Sequence, residues 1–516
     1  MNKDNHPFQN VALSLSGGGF RAASFHLGSV SYLHHIKNEN KSILSNISVI
    51  STVSGGTITG ILWSLYTYEG KPFESFYKKI FGFLEANNII DKVITKMENP
   101  NEWDFPNKNK NFINAFAELY NIDLFENKKF DTFLTKNESN LKNVIFNAID
   151  MKYGLNFRFQ NAGIFGNNRI DKVPIDDIKK IRLGDIAAAS SCFPGGFEPI
   201  EYPNDFFENN SENYFYLMDG GIVNNQGTYS LELAEKRKGS IPYSLIIVSD
   251  VSGKDMKPLM KPEKTESNSI SNLSLKKLEY FSWTIILGSI LLFFVLKSVW
   301  SIVIFTILTT VSILYLSLFY WLRNLLHKLV LDCLLKSQNN KYKNYLQKIE
   351  SIPIRKIIDF LKIRFSSTSL IFSSIFLRQI RRTTYNSLYN IEGWINKIVA
   401  NNIYSMIVEE NEMDESVKLF MQTHPLSNQL RDIVKEVSNF DTTLWFTEED
   451  EKNGILKKLI ACGQFTMCFN LIKYFVRNYK NNEFKEIRDD LEKDFEMFNQ
   501  DAYWLFNNMN NTMKNQ

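Results

Sequence analysis

The sequence predicts a protein of the α/β class, interrupted by a pair of membrane-crossing helices. Two short apolar runs each lead through a glycine-rich turn into a helix-patterned segment, first at VALSL-SGGG-FRAASFHLG and then at NISVISTV-SGG-TITGILWSLYTY. Two long uncharged runs, Tyr280–Leu296 and Val299–Leu322, lie far from both. The 516 residues are 44% hydrophobic and 14% aromatic, so a sizeable core can be buried.

Bulk properties remove several function classes. A net charge of +3 is nearly balanced and implies no nucleic-acid partner. Cys192, Cys333, Cys462 and Cys468 are scattered, without CxxC or zinc-ligand spacing, so a reduced setting and no metal site are expected. No cofactor is expected either. MNKDNHPFQNVALSL has no long apolar stretch before a cleavage site, so its apolar run reads as a strand and not as a signal peptide.

Asn10–Leu15 is the first strand, and Phe20–His35 has helical spacing, with Phe20, Ala23, Leu27, Val30 and Leu33 apolar. Between them, Ser16-Gly17-Gly18-Gly19 is a strand-to-helix loop. Such a loop can cradle phosphate at a helix N-terminus or offer N–H groups to an oxyanion. The phosphate loop GxxxxGK[ST] is absent, and Gly17, Gly19 and Ala22 match a dinucleotide fingerprint only in part.

Asn46–Val53 is the second strand. Ser54-Gly55-Gly56 follows, and then a helix. Strand, serine, small residues and helix is the layout of a nucleophile elbow, although an ordinary glycine-rich turn reads the same way. The following helix dipole favours negative charge near the serine. Thr52 stands where the GxSxG pattern has its first glycine, and a β-branched residue is expected to crowd the elbow. A third element, Met218-Asp219-Gly220-Gly221, ends a short apolar run at an acid.

In this order, SGGGFRAASFHLG, STVSGG, LGDIAAASSCFPGGFEPI (Leu183 to Ile200) and MDGG resemble the patatin-like phospholipase family, and the glycine–arginine loop resembles that of the related cytosolic A2-type phospholipases. LIIVSDVSG, FLRQIRRTTYNSLY and FDTTLWFTEEDEKNGILKKLIACGQF are similar to the family's last core elements with less specificity. The resemblance covers Val11–Gly253 and then Ser366–Tyr474. It implies a three-layer fold with a mostly parallel central sheet between helices. It also implies a Ser–Asp dyad without a catalytic histidine. Carried over, Ser54 is the nucleophile and Asp219 the general base. Gly17, Gly18 and Gly19 supply oxyanion N–H groups, and Arg21 is the substrate-binding basic residue. A Ser-His-Asp triad through His26, His34 or His35 is the competing arrangement.

A helix needs about 20 apolar residues to cross the hydrocarbon core. Val299–Leu322 meets this, and Tyr280–Leu296 is near the lower limit. Lys276 and Lys277 before the pair, and Arg323, His327 and Lys328 after it, place both outer ends on the cytoplasmic side, with Lys297 at the far turn. A buried apolar hairpin and a single re-entrant element are the alternatives. The expected organisation is residues 1–254 as the first part of the catalytic domain, 255–365 as a membrane insert with basic flanks, and 366–516 completing the domain.

Phe83–Met97 and Asn111–Phe125 read as amphipathic helices that cover the sheet or form a lid. Lys254–Ser274 reads as a linker and Gln338–Lys348 as a polar basic segment. Pro353–Arg382 carries lysines and arginines suited to anionic headgroups. Together these imply a multi-pass membrane protein with a cytosolic catalytic domain, cleaving phospholipid or lysophospholipid acyl esters. A neutral-lipid esterase or acyltransferase with the same dyad, or a non-catalytic membrane-bound scaffold, are the other readings. Head group, acyl position and oligomeric state are open.

Overall fold

The computed structural model describes residues 6–86, 88–99, 101, 103–208, 211–254, 256, 258–260, 263, 266, 272–296, 299–334, 351–479 and 483–514. The expected turn at 297–298, the segment 338–348 and much of the expected linker 254–274 lie outside the described residues. The chain divides into two compact units, Met1–Met256 with Phe376–Gln516, and Lys257–Ile375.

The first unit is built on an eight-stranded sheet. Its strands are β1 (Val11–Leu15), β2 (Ile47–Val53), β3 (Asn143–Asp150), β4 (Leu155–Gln160), β5 (Ile200–Tyr202), β6 (Phe215–Asp219), β7 (Leu245–Asp250) and β8 (Ile398–Asn402). They lie in the order β8-β7-β1-β2-β3-β6-β5, with β4 also on β3. From β8 to β3 every pair is parallel, while β4, β5 and β6 join antiparallel. A parallel strand covered on both faces needs a near-continuous apolar run. VALSL and LIIVSD supply one, and every residue of β1 and β7 is buried.

β3 explains how the sheet brings distant segments together. β4 pairs along one edge of it from Ile145 to Asp150. The other edge is shared end to end. β2 runs parallel to β3 and stops where Val53 faces Asn147. β6 runs antiparallel and stops where Asp219 faces Ala148. Two strands therefore arrive from opposite directions at adjacent positions of one edge. The residue after Val53 is Ser54.

Among the described helices of the first unit are α1 (Gly19–His35), α2 (Gly55–Tyr68), α3 (Leu183–Ser191), α6 (Leu377–Tyr389) and α7 (Ile455–Asn478), and among those of the second are α4 (Leu275–Leu296) and α5 (Val299–Leu334). α1 follows the glycine loop and is buried from Phe20 to Leu33, because the sheet, α2 and α7 surround it. The crossing of α1 and α7 is made by glycines. A Cβ at Gly28 would fall inside contact with the Ile460 carbonyl oxygen, and one at Gly463 inside contact with the Phe25 carbonyl oxygen. α7 is thus apolar because it is core, buried without a break from Leu459 to Ile472.

The amphipathic segment expected at Phe83–Met97 is two helices, Phe73–Glu85 and Ile89–Glu98, because the chain turns extended at Ala86 (ψ 118°). Asn88 stands at the second N-cap, where asparagine competes well against helix interior. The first of the two packs Phe76, Tyr77, Ile80, Phe83 and Leu84 inward and covers α1 and α2. The segment expected at Asn111–Phe125 is helical over Phe112–Leu119 and then widens into a π-turn over Tyr120–Leu124.

In the second unit α4 and α5 pack along each other. The Tyr320 hydroxyl donates to Glu279 Oε1 at 2.6 Å, so the start of α4 and the later part of α5 lie side by side and the pair is antiparallel. Apolar side chains face outward, with Val295 and Trp300 about three-quarters exposed (74% and 76%). By length and composition, Ile302–Trp321, Ile354–Tyr389 and Ile455–Asn478 are apolar enough to cross a membrane. The share buried is 18% in the first and zero in the second, in contrast to α7.

Two glycines with opposite surroundings test the α1–α7 crossing. Gly463→Ala forces the helices apart and should lower stability by about 1–3 kcal/mol. Gly82→Ala sits in a helix with nothing within 4 Å of its Cβ, and should stabilise by about 0.5–1 kcal/mol. Chemical denaturation of the two variants reads both signs.

Candidate active site

Ser54 joins β2 to α2 with φ 51° and ψ −126°. A non-glycine residue at positive φ costs of order 1–3 kcal/mol and persists only where its surroundings over-determine it. Here they do. The Ser54 N–H donates to Ser190 Oγ at 2.9 Å, and its carbonyl accepts from the Thr57 N–H at 2.7 Å. The side chain stands at the N-terminus of α2, where orphan N–H groups and the helix dipole favour negative charge. Ser54 is buried.

Asp219 ends β6 and is buried. Its N–H donates to the Cys192 carbonyl at 2.9 Å, and its Oδ1 accepts from the Gly221 N–H at 2.7 Å. Burial pushes its pKa up from 3.8 to about 6, against the pull of hydrogen bonds from the Gly221 amide and the Ser54 hydroxyl. The end-to-end meeting of β2 and β6 thus puts a hydroxyl against a carboxylate of raised basicity.

The glycine loop lies beside them. A Cβ on Gly17 would come within 3.0 Å of Ser54 Cβ and 2.5 Å of Asn225 Oδ1. The Gly17 N–H is already spent, donating to the Asn225 carbonyl at 3.0 Å. Gly18 (φ 146°) and Gly19 (φ 60°) take conformations that side chains resist, and a Cβ on either would strike Val251 or the Thr443 carbonyl. Among the described residues, no acceptor pairs with the Gly18 or Gly19 N–H. Of the three amides expected to serve an oxyanion, two are therefore open and the first holds the loop to Asn225.

Thr52, expected to crowd the elbow, is accommodated from the opposite side. A Cβ on Gly60, in the second turn of α2, would collide with Thr52 Cγ2. Glycine there leaves room for the threonine methyl. The threonine hydroxyl has its own work. Thr52 Oγ1 lies 2.9 Å from Thr57 Oγ1, which lies 2.8 Å from Ser190 Oγ. Ser190 donates its one proton to the Asn147 carbonyl at 2.7 Å. A hydroxyl has one donor, so Thr57 must donate to Ser190 and Thr52 to Thr57. Ser190 Oγ then accepts from both Thr57 and the Ser54 amide.

Ser190 and Asn147 are the residues that sequence reasoning missed. Asn147 Nδ2 donates to the Thr52 carbonyl at 2.8 Å and to Ser51 Oγ at 3.0 Å, and its Oδ1 accepts from Ser230 at 2.6 Å. Ser190 falls inside the AAASSC stretch, but nothing in its spacing signals a bond to residue 54. Its helix is held from behind by a buried ion cluster in which Lys108 reaches Asp185 at 2.5 Å and Arg182 reaches Glu118 at 2.7 Å.

Arg21 departs from its expected role. Its guanidinium hydrogen-bonds the Phe440 carbonyl and is nine-tenths buried. Burial lowers its pKa to about 10, with Arg381 adding to the fall and Asp250 and Asp441 opposing it. It ties α1 to the segment ahead of α7, and no described contact joins it to Ser54 or Asp219. The histidine arrangement also fails. His26 is fully buried, its Nδ1 at 2.9 Å from Ser249 Oγ and its Nε2 at 2.9 Å from the Ser16 carbonyl, and burial lowers its pKa to about 4. His34 stacks on Phe73, and His35 pairs with Asp494 at 3.2 Å. Among the described residues no group of three or more His, Cys, Asp or Glu is placed to hold a metal.

Residues 13–231 match the family model described as patatin-like phospholipase. This span holds the end of β1, all of β2 to β6, Ser54 and Asp219. Among solved structures the chain is similar to VipD from Legionella pneumophila, at 12% identity and a TM-score of 0.26, covering 95% of this chain and 80% of that one. Comparison with curated proteins finds no match.

The Thr52–Gly60 contact predicts a coupled pair. Gly60→Ala should cost about 1–3 kcal/mol by overpacking. Thr52→Ser removes Cγ2 but keeps the hydroxyl chain, so the double variant should recover most of that loss. Additive losses in a double-mutant cycle would show that the two residues do not meet.

Proposed function

We propose, for a chain that carries a patatin-like phospholipase domain over residues 13–231, a domain that implies a lipid acyl hydrolase, that it cleaves acyl esters of phospholipid or lysophospholipid at Ser54. The observation that carries this reading is the pair itself. A buried serine at a strained strand-to-helix junction lies against a buried carboxylate whose pKa is raised to about 6.

In this mechanism Asp219, ionised, accepts the Ser54 proton as Oγ attacks the ester carbonyl. The tetrahedral oxygen takes its negative charge towards the free Gly18 and Gly19 N–H groups and the N-terminus of α2. The protonated Asp219 then gives its proton to the leaving alcohol. A water molecule, deprotonated by Asp219, attacks the acyl carbonyl, and Asp219 returns that proton to Ser54 Oγ as the acyl group leaves as a fatty acid. A carboxylate in water is a poor base for this, and the desolvation that raises its pKa is what suits it to the step. Gly17 contributes clearance beside Ser54 Cβ and not a donor.

The second unit supports a membrane anchor. α4 and α5 form an antiparallel pair whose outward faces are apolar, and Ile302–Trp321, within α5, has the length and composition to span the hydrocarbon core. We read residues 280–322 as a hairpin with both outer ends cytosolic, which keeps the active site at the surface that carries its substrate. The catalytic domain is then residues 1–254 and 366–516, with the insert between.

Ser54→Ala should reduce hydrolysis of phospholipid vesicles by several orders of magnitude, and it should abolish labelling by a fluorophosphonate. Near-normal turnover in that variant would end the assignment. The acid limb of the rate profile should lie near pH 6, where Asp219 takes its proton. The stability effect has the opposite sense from an ordinary ion-paired carboxylate. A folded pKa above the unfolded 3.8 means that the native state binds the proton more tightly, so stability falls as pH rises from about 4 to 6. The difference corresponds to about 3 kcal/mol. Asp219→Asn should therefore abolish activity yet raise Tm at pH 8, with the gain vanishing below pH 4.

Alkaline carbonate should leave the full chain in the membrane and should extract a variant lacking residues 280–322. That variant should retain hydrolysis of dispersed short-chain esters and lose it on bilayers. Extraction of the full chain would remove the anchor from the proposal and leave the dyad standing.

A further inference from the structure

A cavity of about 920 Å3 opens in the first unit, and neither Ser54, Asp219 nor the Gly17–Gly19 loop lines it. Its size falls within the ~300–1,000 Å3 of sites that hold one small ligand. One wall is aromatic. Phe207 and Phe215 stand half-buried on it, backed by Tyr202 and Phe206, which are buried in the core behind them with ring centroids 5.2 Å apart.

The rim is cationic. Lys129, Lys152, Arg169 and Lys172 line the cavity, and among the described residues none of them is in an ion pair. Of the carboxylates there, Asp104 is paired with Arg182, and Asp177 lies 3.5 Å from Lys180. Asp171 and Glu208 remain as negative charge. Six cations and four carboxylates line the space, a surplus of two positive charges.

Two elements run from this cavity to the residues around Ser54. Phe215, on its wall, opens β6, which ends at Asp219. Arg182, also on its wall, immediately precedes α3, which carries Ser190, the acceptor of the Ser54 amide. An occupant would touch the far ends of both.

We propose that this cavity is a second lipid site, binding an amphiphile with one acyl chain and a phosphomonoester head. The chain lies on the aromatic wall and the head on the lysine–arginine rim. A phosphomonoester carries about −1.5 to −2 charges at neutral pH, which matches the surplus, whereas a choline head would cancel it. One chain with its head suits the volume better than a two-chain lipid. The site stands on the cavity alone and does not require Ser54 to be the nucleophile.

The test uses the full chain and an ether-linked alkyl glycerol 3-phosphate bearing a photoreactive diazirine in the chain, which no esterase cleaves. Cross-links should map to peptides covering 169–174 or 202–215. The choline-headed analogue should bind at least tenfold more weakly, and inorganic phosphate at the lipid's concentration should not displace the probe. The paired variant Lys152→Glu with Arg169→Glu should weaken binding at least tenfold, and Lys129→Glu with Lys172→Glu should do so independently. All four residues are exposed, so an unchanged Tm accompanies the loss. Cross-links confined to peptides around residues 16–21, 54–60 and 219–225 would overturn the proposal. So would affinity that ignores both charge reversals, or displacement by inorganic phosphate alone, which would mark an anion site without a place for the chain.

Discussion

The rest of the structure depends on one shared edge of β3. Asn147 and Ala148 are consecutive, and the strand opposite the first is not the strand opposite the second. Where β2 leaves to become α2, β6 arrives from the other direction. Neither strand can be lengthened without displacing the other, so the elbow at residue 54 and the acid at residue 219 are held by the same backbone ladder. Asn147 completes the junction with its side chain, bonding β2 through Ser51 and Thr52, while its carbonyl accepts from Ser190. A Cβ at Gly220 would crowd that same carbonyl, which is why the turn after Asp219 can pass so close.

The polar interior behind the site obeys the rule that a buried hydroxyl must be satisfied without competing for the same proton. The chain Thr52–Thr57–Ser190–Asn147 has one direction only, and it ends on a backbone carbonyl. Its third member presents a lone pair to the strained amide of Ser54. Asp219 is treated differently. It receives one backbone hydrogen bond and one from Ser54, too little to offset burial, and its pKa rises. Asp250, equally buried at the end of β7, shows the contrast. Burial would raise its pKa as well, but Arg381 at 2.7 Å and Gln226 at 3.2 Å hold it below the ordinary carboxylate value. One buried acid has its pKa raised and the other, held by a cation and an amide, has it lowered.

Arg381 belongs to α6, which with β8 and α7 returns to the first unit after the segment 257–375. That return is not peripheral. β8 extends the parallel sheet beyond β7, α7 lies along α1, and Arg21 reaches the Phe440 carbonyl. Residues beyond the matched span 13–231 therefore close the core around the glycine loop, and the Thr443 carbonyl is what a side chain at Gly19 would meet.

Local pattern determined much by itself. The strands at residues 11–15 and 47–53, the helices that follow them, the glycine turns and the acid before Gly220 are legible because each is a short-range signal: an apolar run, a periodic face, or a residue without a Cβ. The two uncharged runs were legible for the same reason. What the sequence could not decide was anything fixed by contacts between different elements of the fold. Thr52 looked like a defect because its relief, Gly60, lies on the next helix and its hydroxyl partners are Thr57 and, through it, Ser190. Arg21 looked like a ligand for substrate because Phe440 is over four hundred residues away. Gly17 looked like a third donor because Asn225, which takes its N–H, comes from the loop beyond Asp219. α7 had the composition of a membrane span, and only its packing against α1 made it core. Composition determines which groups are available for burial and bonding, whereas the tertiary fold decides which of them meet.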